Sequence, residues 1–293
     1  MSKKCGYITI IGRPNVGKST LLNYLLGQKI SITSKKPQTT RHQILGIKTE
    51  ADVQMVFIDT PGIHTQNKKA LNRYLNKAAL TSLHDVDVVL WVIEPRWSDD
   101  EDFILKKLGN LATPVILVLN KVDRIQDKNK LLPMMQMFKD KFPFRDVVPI
   151  SAETGDNVAL LCQVISQYLP EQEFIFDEDQ LTDKSTRFLI AEIIREKLMR
   201  YLGEELPYAT TVQIDAFKEE AAINDISATI FVERTSQKAI VIGEAGAGLK
   251  KIGTDARRDL EQLLGKKVML RLWVKVKSNW ADDDAALKSL GYN

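Results

Sequence analysis

Along residues 1–170 short apolar runs alternate with longer mixed stretches. The runs fall at 7–11, 53–58, 88–93, 115–119 and 147–150. Each has strand length, and each gap is wide enough for a helix. Continuous apolar runs suit strands buried on both faces, so the pattern predicts a mostly parallel sheet wrapped by helices. In such sheets ligands bind beyond the carboxyl ends of the strands, which makes the polar residues just after each run the ones to inspect.

The period changes after residue 184. Ile190, Ile194, Leu198 and Tyr201 recur at helical spacing, and Gly203 ends the helix. Alternating strands are expected at 208–215 and 225–233, followed by a short apolar run at 239–242 and a glycine-rich loop at 241–248. A helix with Leu249, Ile252, Ala256, Leu260 and Leu263 on one face comes next, then a strand at 267–277. In that strand Val268, Leu270, Leu272, Val274 and Val276 would face the core. Met269, Arg271, Trp273, Lys275 and Lys277 would share the other side. This half reads as a separate α+β domain.

The chain has 293 residues, 44% of them hydrophobic, enough for a core in each of two domains. The net charge of +3 is unevenly spread: residues 1–170 carry +7, residues 171–183 carry −6 and residues 184–293 carry +2. The acidic block follows Leu169-Pro170, where a helix should end, and is expected to be a solvated connection. The division is therefore 1–170, a linker at 171–183, and 184–293. The two cysteines, Cys5 and Cys162, form no CxxC pair, so neither a disulfide framework nor a zinc site is expected. No apolar stretch approaches the roughly 20 residues of a membrane span, and the expectation is a cytoplasmic protein.

The chemistry begins after the first run, with Gly12-Arg13-Pro14-Asn15-Val16-Gly17-Lys18-Ser19. A glycine-framed loop between strand and helix points backbone N–H groups at phosphates, and the helix N-terminus adds positive potential. The candidate nucleotide ligands are Gly12, Asn15, Val16, Gly17, Lys18, Ser19 and Thr20, with Lys18 reaching the β- and γ-phosphates and Ser19 the Mg²⁺. After the second run, Asp59-Thr60-Pro61-Gly62 offers a carboxylate for Mg²⁺ and a side-chain-free N–H for the γ-phosphate. After the fourth, Asn120-Lys121-Val122-Asp123 selects the base. Asp123 can accept from both the ring N–H and the exocyclic amine of guanine, whereas adenine would leave a carboxylate facing a lone pair. Hence GTP and GDP rather than ATP.

Ser151 and Ala152, in Ser151-Ala152-Glu153-Thr154-Gly155, would bring backbone N–H groups near the guanine carbonyl, or cap the helix at 158–169. The polar segment 31–43 would be ordered by γ-phosphate and Mg²⁺ with a threonine hydroxyl as closing ligand, Thr40 first and Thr39 as the fallback. The metal set is then Ser19, Thr40 and Asp59, and the groups acting during phosphoryl transfer are Lys18, Thr40 and Gly62.

In the second half, Gly243 to Gly246 fits the GxxG loop of an RNA-binding KH domain, where glycines let backbone approach single-stranded RNA. Residues 234–277 carry eleven basic and four acidic side chains, a local excess that suits RNA. Candidate RNA contacts are Gly243, Gly246, Lys250, Lys251, Arg257 and Arg258. Glu244 and Ala245 occupy the middle of the loop, which places more weight on backbone contacts.

GRPNVGKST, QTTRH, DTPGIH, NKVD and SAETG, in this order, resemble the translation-factor class of GTPases and within it the bacterial Era family, with its C-terminal type II KH domain. The resemblance continues through Gly248 to Gly253 and Leu272 to Trp280, nearly the whole chain. It implies an α/β P-loop GTPase domain followed by an α+β type II KH domain. It further implies 16S rRNA near its 3′ end and the small (30S) ribosomal subunit as partners, a monomer, no DNA partner, and a peripheral place at the inner membrane face. Small GTPases often orient the attacking water with a glutamine after DTxG, but Ile63 stands there. In relatives an asparagine at the position of Asn15 helps bind K⁺, so slow, K⁺-stimulated hydrolysis is the expectation. Ile63 also keeps open an RNA-binding assembly scaffold whose nucleotide domain senses GTP with negligible turnover.

Overall fold

The computed structural model describes residues 2–34, 36, 38–63, 70–109, 111–203, 206–278 and 280. They fall into two compact units, one within residues 1–31, 40–67 and 72–183, the other within residues 32–39, 68–71 and 184–293.

The first unit is built on a six-stranded sheet. Its strands are β1 (Lys4–Ile11), β2 (Ile44–Glu50), β3 (Val53–Asp59), β4 (Val88–Ile93), β5 (Val115–Leu119) and β6 (Asp146–Pro149), in the order β2-β3-β1-β4-β5-β6. β2 runs antiparallel to β3 and the other pairs are parallel. β2 is not one of the apolar runs. It is an edge strand with half-exposed Lys48 and Thr49 and exposed Glu50, so a search for continuous apolar stretches passes over it. β4, central and fully buried, is the run the sequence shows most plainly.

Among the described residues five α-helices accompany the sheet: α1 (Lys18–Leu26), α2 (Ala70–Thr81), α3 (Asp99–Leu108), α4 (Leu131–Lys139) and α5 (Val158–Tyr168). α2, α3 and α4 contribute Ala79, Ile104, Leu108 and Phe138 to a core around Trp91, Leu117 and Ile63. The order reverses at β1, which lies between β3 and β4. That reversal opens a crevice at the carboxyl end of β1, where the glycine-framed loop stands.

The acidic segment 171–183, expected as a solvated connection, is fixed on this unit. Cys5 N–H donates to Pro170 O at 3.2 Å, Gln172 N–H to Lys3 O at 3.0 Å and Ile47 N–H to Leu181 O at 2.9 Å. The fully buried Gln54 accepts at Oε1 from Ile175 N and Phe176 N, 2.9 and 3.0 Å away, and donates from Nε2 to Phe176 O at 2.8 Å. Phe174 and Phe176 cover Cys5, Ile47 and Val56. The acidic side chains reach water while these two rings hold the backbone down, a distinction that charge counting misses.

The second unit runs α6 (Thr186–Tyr201), β7 (Thr211–Glu219), β8 (Ile223–Val232), α7 (Thr235–Ile242), α8 (Ala247–Leu264) and β9 (Lys267–Val276), with strands in the order β7-β8-β9. β7 and β8 are antiparallel, with a register shift between Ile214 and Ala216, and β8 and β9 are parallel. Ile190, Ile194 and Leu198 of α6, Ile252 and Leu260 of α8, and Val268 and Val274 of β9 meet in one core. The apolar run 239–242 is the end of helix α7. Val276, expected to face the core, is exposed at the last residue of its strand, and Tyr201 is exposed in the last turn of its helix.

α6 carries a second buried face made of charges. Glu192 and Arg195 pair at 2.7 Å, and Lys197 bonds both Glu196 and Asp259 of α8. Residues 32–39 belong to this unit through that face. Thr33 N–H donates to Glu196 Oε1 at 2.9 Å, Arg200 bonds Thr33 O at 3.2 Å, and Arg195 bonds Thr39 O. Buried charges survive only when paired in this way.

Candidate functional site

The nucleotide-site residues predicted from sequence gather at the crevice beyond β1, β3 and β5. Gly17 is left-handed at φ 103° and starts α1, and a Cβ there would come within 2.1 Å of Asn120 Nδ2, so only glycine lets the loop turn beneath that side chain. Lys18 is buried and donates to the carbonyls of Gly12 and Arg13 at 3.0 and 2.9 Å. Burial lowers its pKa to about 8, against the opposing pull of Asp59. Thr20 follows in the first turn of α1, half-buried.

Ser19, Thr40 and Asp59 converge. Ser19 Oγ lies 2.8 Å from Thr40 Oγ1 and 2.8 Å from Asp59 Oδ2. Ser31 Oγ donates to the same Oδ2 at 2.8 Å, a contact that sequence spacing does not signal. Burial pushes the Asp59 carboxyl up, while Lys18 and the two serine hydroxyls hold it down. Its second oxygen, Oδ1, is buried with no hydrogen-bond partner. A buried carboxylate oxygen left over beside two hydroxyls fits a small hard cation that takes a few protein oxygens and completes its shell with phosphate and water. The residues therefore fit Mg²⁺. Among the described residues no group of three or more His, Cys, Asp or Glu offers a competing metal site.

Gly62 lies against the loop, where a Cβ would meet Pro14 at 2.8 Å. Ile63 N–H donates to Gly12 O at 3.3 Å and its side chain is buried in the core, so it cannot reach into the crevice. Asn15, exposed and left-handed at φ 65°, offers its carbonyl to Lys121 Nζ at 2.7 Å, and Lys121 also pairs with Glu94.

Asn120 is the staple of the base side. Its Nδ2 donates to Val16 O at 2.8 Å, and its Oδ1 accepts from Ala152 N–H at 2.9 Å, joining the phosphate loop to residues 151–155. Ser151 does not cap α5. Its Oγ accepts from Thr154 N–H at 3.2 Å within its own turn, and left-handed Asn157 precedes the helix. Asp123 stands exposed three residues beyond Asn120.

In the second unit the GxxG backbone turns sharply at Gly243 (φ 72°), Ala245 (φ 47°) and Gly246 (φ 82°), and α8 starts from it. Between α8 and β9 runs an open groove of about 350 Å³, lined among others by Gly246, Lys250, Thr254, Arg257, Met269 and Leu272. Of the expected RNA contacts, Gly246, Lys250 and Arg257 share it. Lys251 instead lies 5.8 Å from the Tyr201 ring, and Arg258 is not among the residues that line the groove.

Residues 7–121 match the family model described as 50S ribosome-binding GTPase, and residues 205–281 match that of the KH domain. GTPase Era of Ectopseudomonas mendocina is 53% identical over 290 residues, covering 99% of this chain and 97% of that one. GTPase Era of Pseudomonas putida is 54% identical over the same length. The chain belongs to the Era family of GTPases.

Solved Era structures agree over the whole length. An Era protein crystallised with MgGDPNP and nucleotides 1506–1542 of 16S ribosomal RNA matches at a TM-score of 0.95 and 41% identity, covering 99% of each chain. A variant of Aquifex aeolicus Era bound to GDP and aluminium fluoride matches at 0.94 and 42%. The expected architecture, a P-loop GTPase domain followed by a KH domain, is the observed one. No helix among the described residues is long and apolar enough to cross a membrane.

Proposed function

We propose that this Era-family GTPase is a GTP-operated RNA switch in small-subunit assembly, binding 16S rRNA near its 3′ end through the GxxG loop and the groove beside it. What carries the reading is the pairing, in one chain, of the Ser19–Thr40–Asp59 cluster with a KH fold like that of an Era protein crystallised with both MgGDPNP and that RNA. Ser19, Thr40 and Asp59 would hold Mg²⁺, which neutralises charge on the phosphates when bound. Lys18 is placed to leave the carbonyls of Gly12 and Arg13 for phosphate oxygens. Gly62 N–H stands for the γ-phosphate, and Asn15 for K⁺.

The switch requires that the GTP and GDP states differ in their affinity for RNA. The test is RNA affinity in GTP-analogue and GDP states: the analogue state should bind the 3′ segment more tightly, and equal affinities would refute the switch.

The buried Ile63 favours a second reading, a scaffold that senses GTP without turning it over. Single-turnover hydrolysis in K⁺ and in Na⁺, with and without RNA, separates the two. Faster hydrolysis in K⁺ supports the enzyme, and no hydrolysis in any condition supports the scaffold.

A further inference from the structure

The sheet of the second unit has two faces, and of the outward-facing residues of β9 the groove is lined by Met269 and not by Arg271, Trp273 or Lys275. Val268, Leu270, Leu272 and Val274 pack toward the helices. The intervening residues face away, and the parallel register places Ser227 opposite Arg271, Thr229 opposite Trp273 and Phe231 opposite Lys275. On this outer face Trp273 is 46% exposed and Met269 48%. An aromatic ring open at mid-strand offers a surface on which a base can stack.

The surroundings say what kind of partner fits. Arg271 is locked by three guanidinium bonds to Asp225, at 2.8, 3.1 and 3.1 Å, so it forms a rigid edge beside the indole rather than a free charge. Thr229 Oγ1 donates to Asp215 Oδ2 at 2.7 Å, which fixes that carboxylate in place without cancelling its charge. Lys275 is exposed, and Lys277 lies 5.9 Å from the ring of Phe231. Lysines flanking an open aromatic are depleted at protein interfaces, whereas a stacking ring with ammonium groups at its sides matches a base and its phosphates.

Position supplies the second argument. Among the described residues β9 is an edge strand, and no further strand there separates the groove from the outer face. Met269 lines the groove and also starts the outer row. Four residues on, about 13 Å along the strand, stands Trp273. A KH groove clamps about four nucleotides, far fewer than the segment proposed above, so the rest of the RNA needs a path.

We infer that the outer face of β9 is a second RNA platform, on which Trp273 stacks a base of the strand leaving the groove over Met269 while Lys275 and Lys277 meet its phosphates. This inference rests on the RNA reading proposed above. The experiment measures binding of two RNAs, the 3′ segment of 16S rRNA and a piece of it about six nucleotides long, enough to fill a groove that clamps about four. Trp273→Ala should weaken the long RNA roughly tenfold, the loss expected for one stacked base, and leave the short one unchanged. Trp273→Phe, which keeps a ring, should recover most of the loss, and unchanged melting of both variants shows that the fold is intact.

Unchanged affinity of Trp273→Ala for the long RNA overturns the inference, as does equal weakening of both RNAs. If long-RNA affinity is unchanged but Trp273→Ala no longer co-sediments with the small ribosomal subunit, the face takes a protein and the inference also fails. Gly246→Asp, which puts a charged side chain into the groove, should weaken both RNAs. If it weakens neither, the RNA reading itself has failed, an outcome separate from that of Trp273.

Discussion

Replacing Asn120 by alanine should damage the protein before any nucleotide is added. Asn120 is almost fully buried and holds two backbone groups of different loops, Val16 O at 2.8 Å and Ala152 N–H at 2.9 Å. Alanine leaves both groups buried without partners. Each orphan costs about 1–3 kcal/mol, so the first unit should lose roughly 2–6 kcal/mol. At roughly 2–4 °C per kcal/mol for a unit of this size, a loss near 3 kcal/mol lowers its melting temperature by roughly 6–12 °C.

The assay is thermal unfolding of nucleotide-free protein. Fluorescence of Trp91 and Trp97 reports mostly on the first unit, and Trp273→Phe and Trp280→Phe remove the signal of the second. Asp123→Ala is the control. Asp123 is exposed, so melting should shift little while the preference for guanine over adenine nucleotides collapses. If Asn120→Ala melts like the wild type and loses only guanine nucleotide, Asn120 acts on the base and the staple argument is wrong.

Two further outcomes follow from the same geometry. Lys18 has a folded-state pKa of about 8 against the ordinary 10.5, with Asp59 the charge facing it. Between those values the unfolded chain holds more protons than the folded one, so nucleotide-free stability rises with pH across that window and is lost again as pH falls through about 8. Phosphate bound beside Lys18 should restore its proton. Calorimetry near pH 9 in buffers of different ionisation enthalpy should then show uptake approaching one proton per GDP, and equal apparent enthalpies would refute this. Separately, Gln54→Ala removes three bonds to the acidic segment and should speed amide hydrogen exchange at Ile175 and Phe176, and unchanged exchange there would mean that Phe174 and Phe176 suffice.

Several features were readable because they are local. The buried strands β3, β4 and β5 each lie in one apolar run, and the glycine loop, Asp59 to Gly62 and Asn120 to Asp123 each stand directly after a strand end. The edge strand β2 was not, because its outward residues are polar and its inward ones too few to stand out. α7 was read as a bare apolar run, since only its last turn is apolar. The seat of the acidic segment depends on Gln54, whose partners lie more than 120 positions away. No period or composition encodes a bond of that span.

The sequence by itself determined the order of the two folds. It also set the glycine-framed loop, Asp59 and Asn120 directly after or at the end of strands, because that spacing follows from strand and helix lengths. Only the tertiary structure decided which groups meet. It placed Ser31 on Asp59, gave Asn120 its two loops, assigned residues 32–39 to α6, and set Lys250 and Arg257 in the groove while turning Lys251 toward Tyr201. These outcomes depend on which surfaces pack together, and packing is a property of the whole chain rather than of any segment read alone.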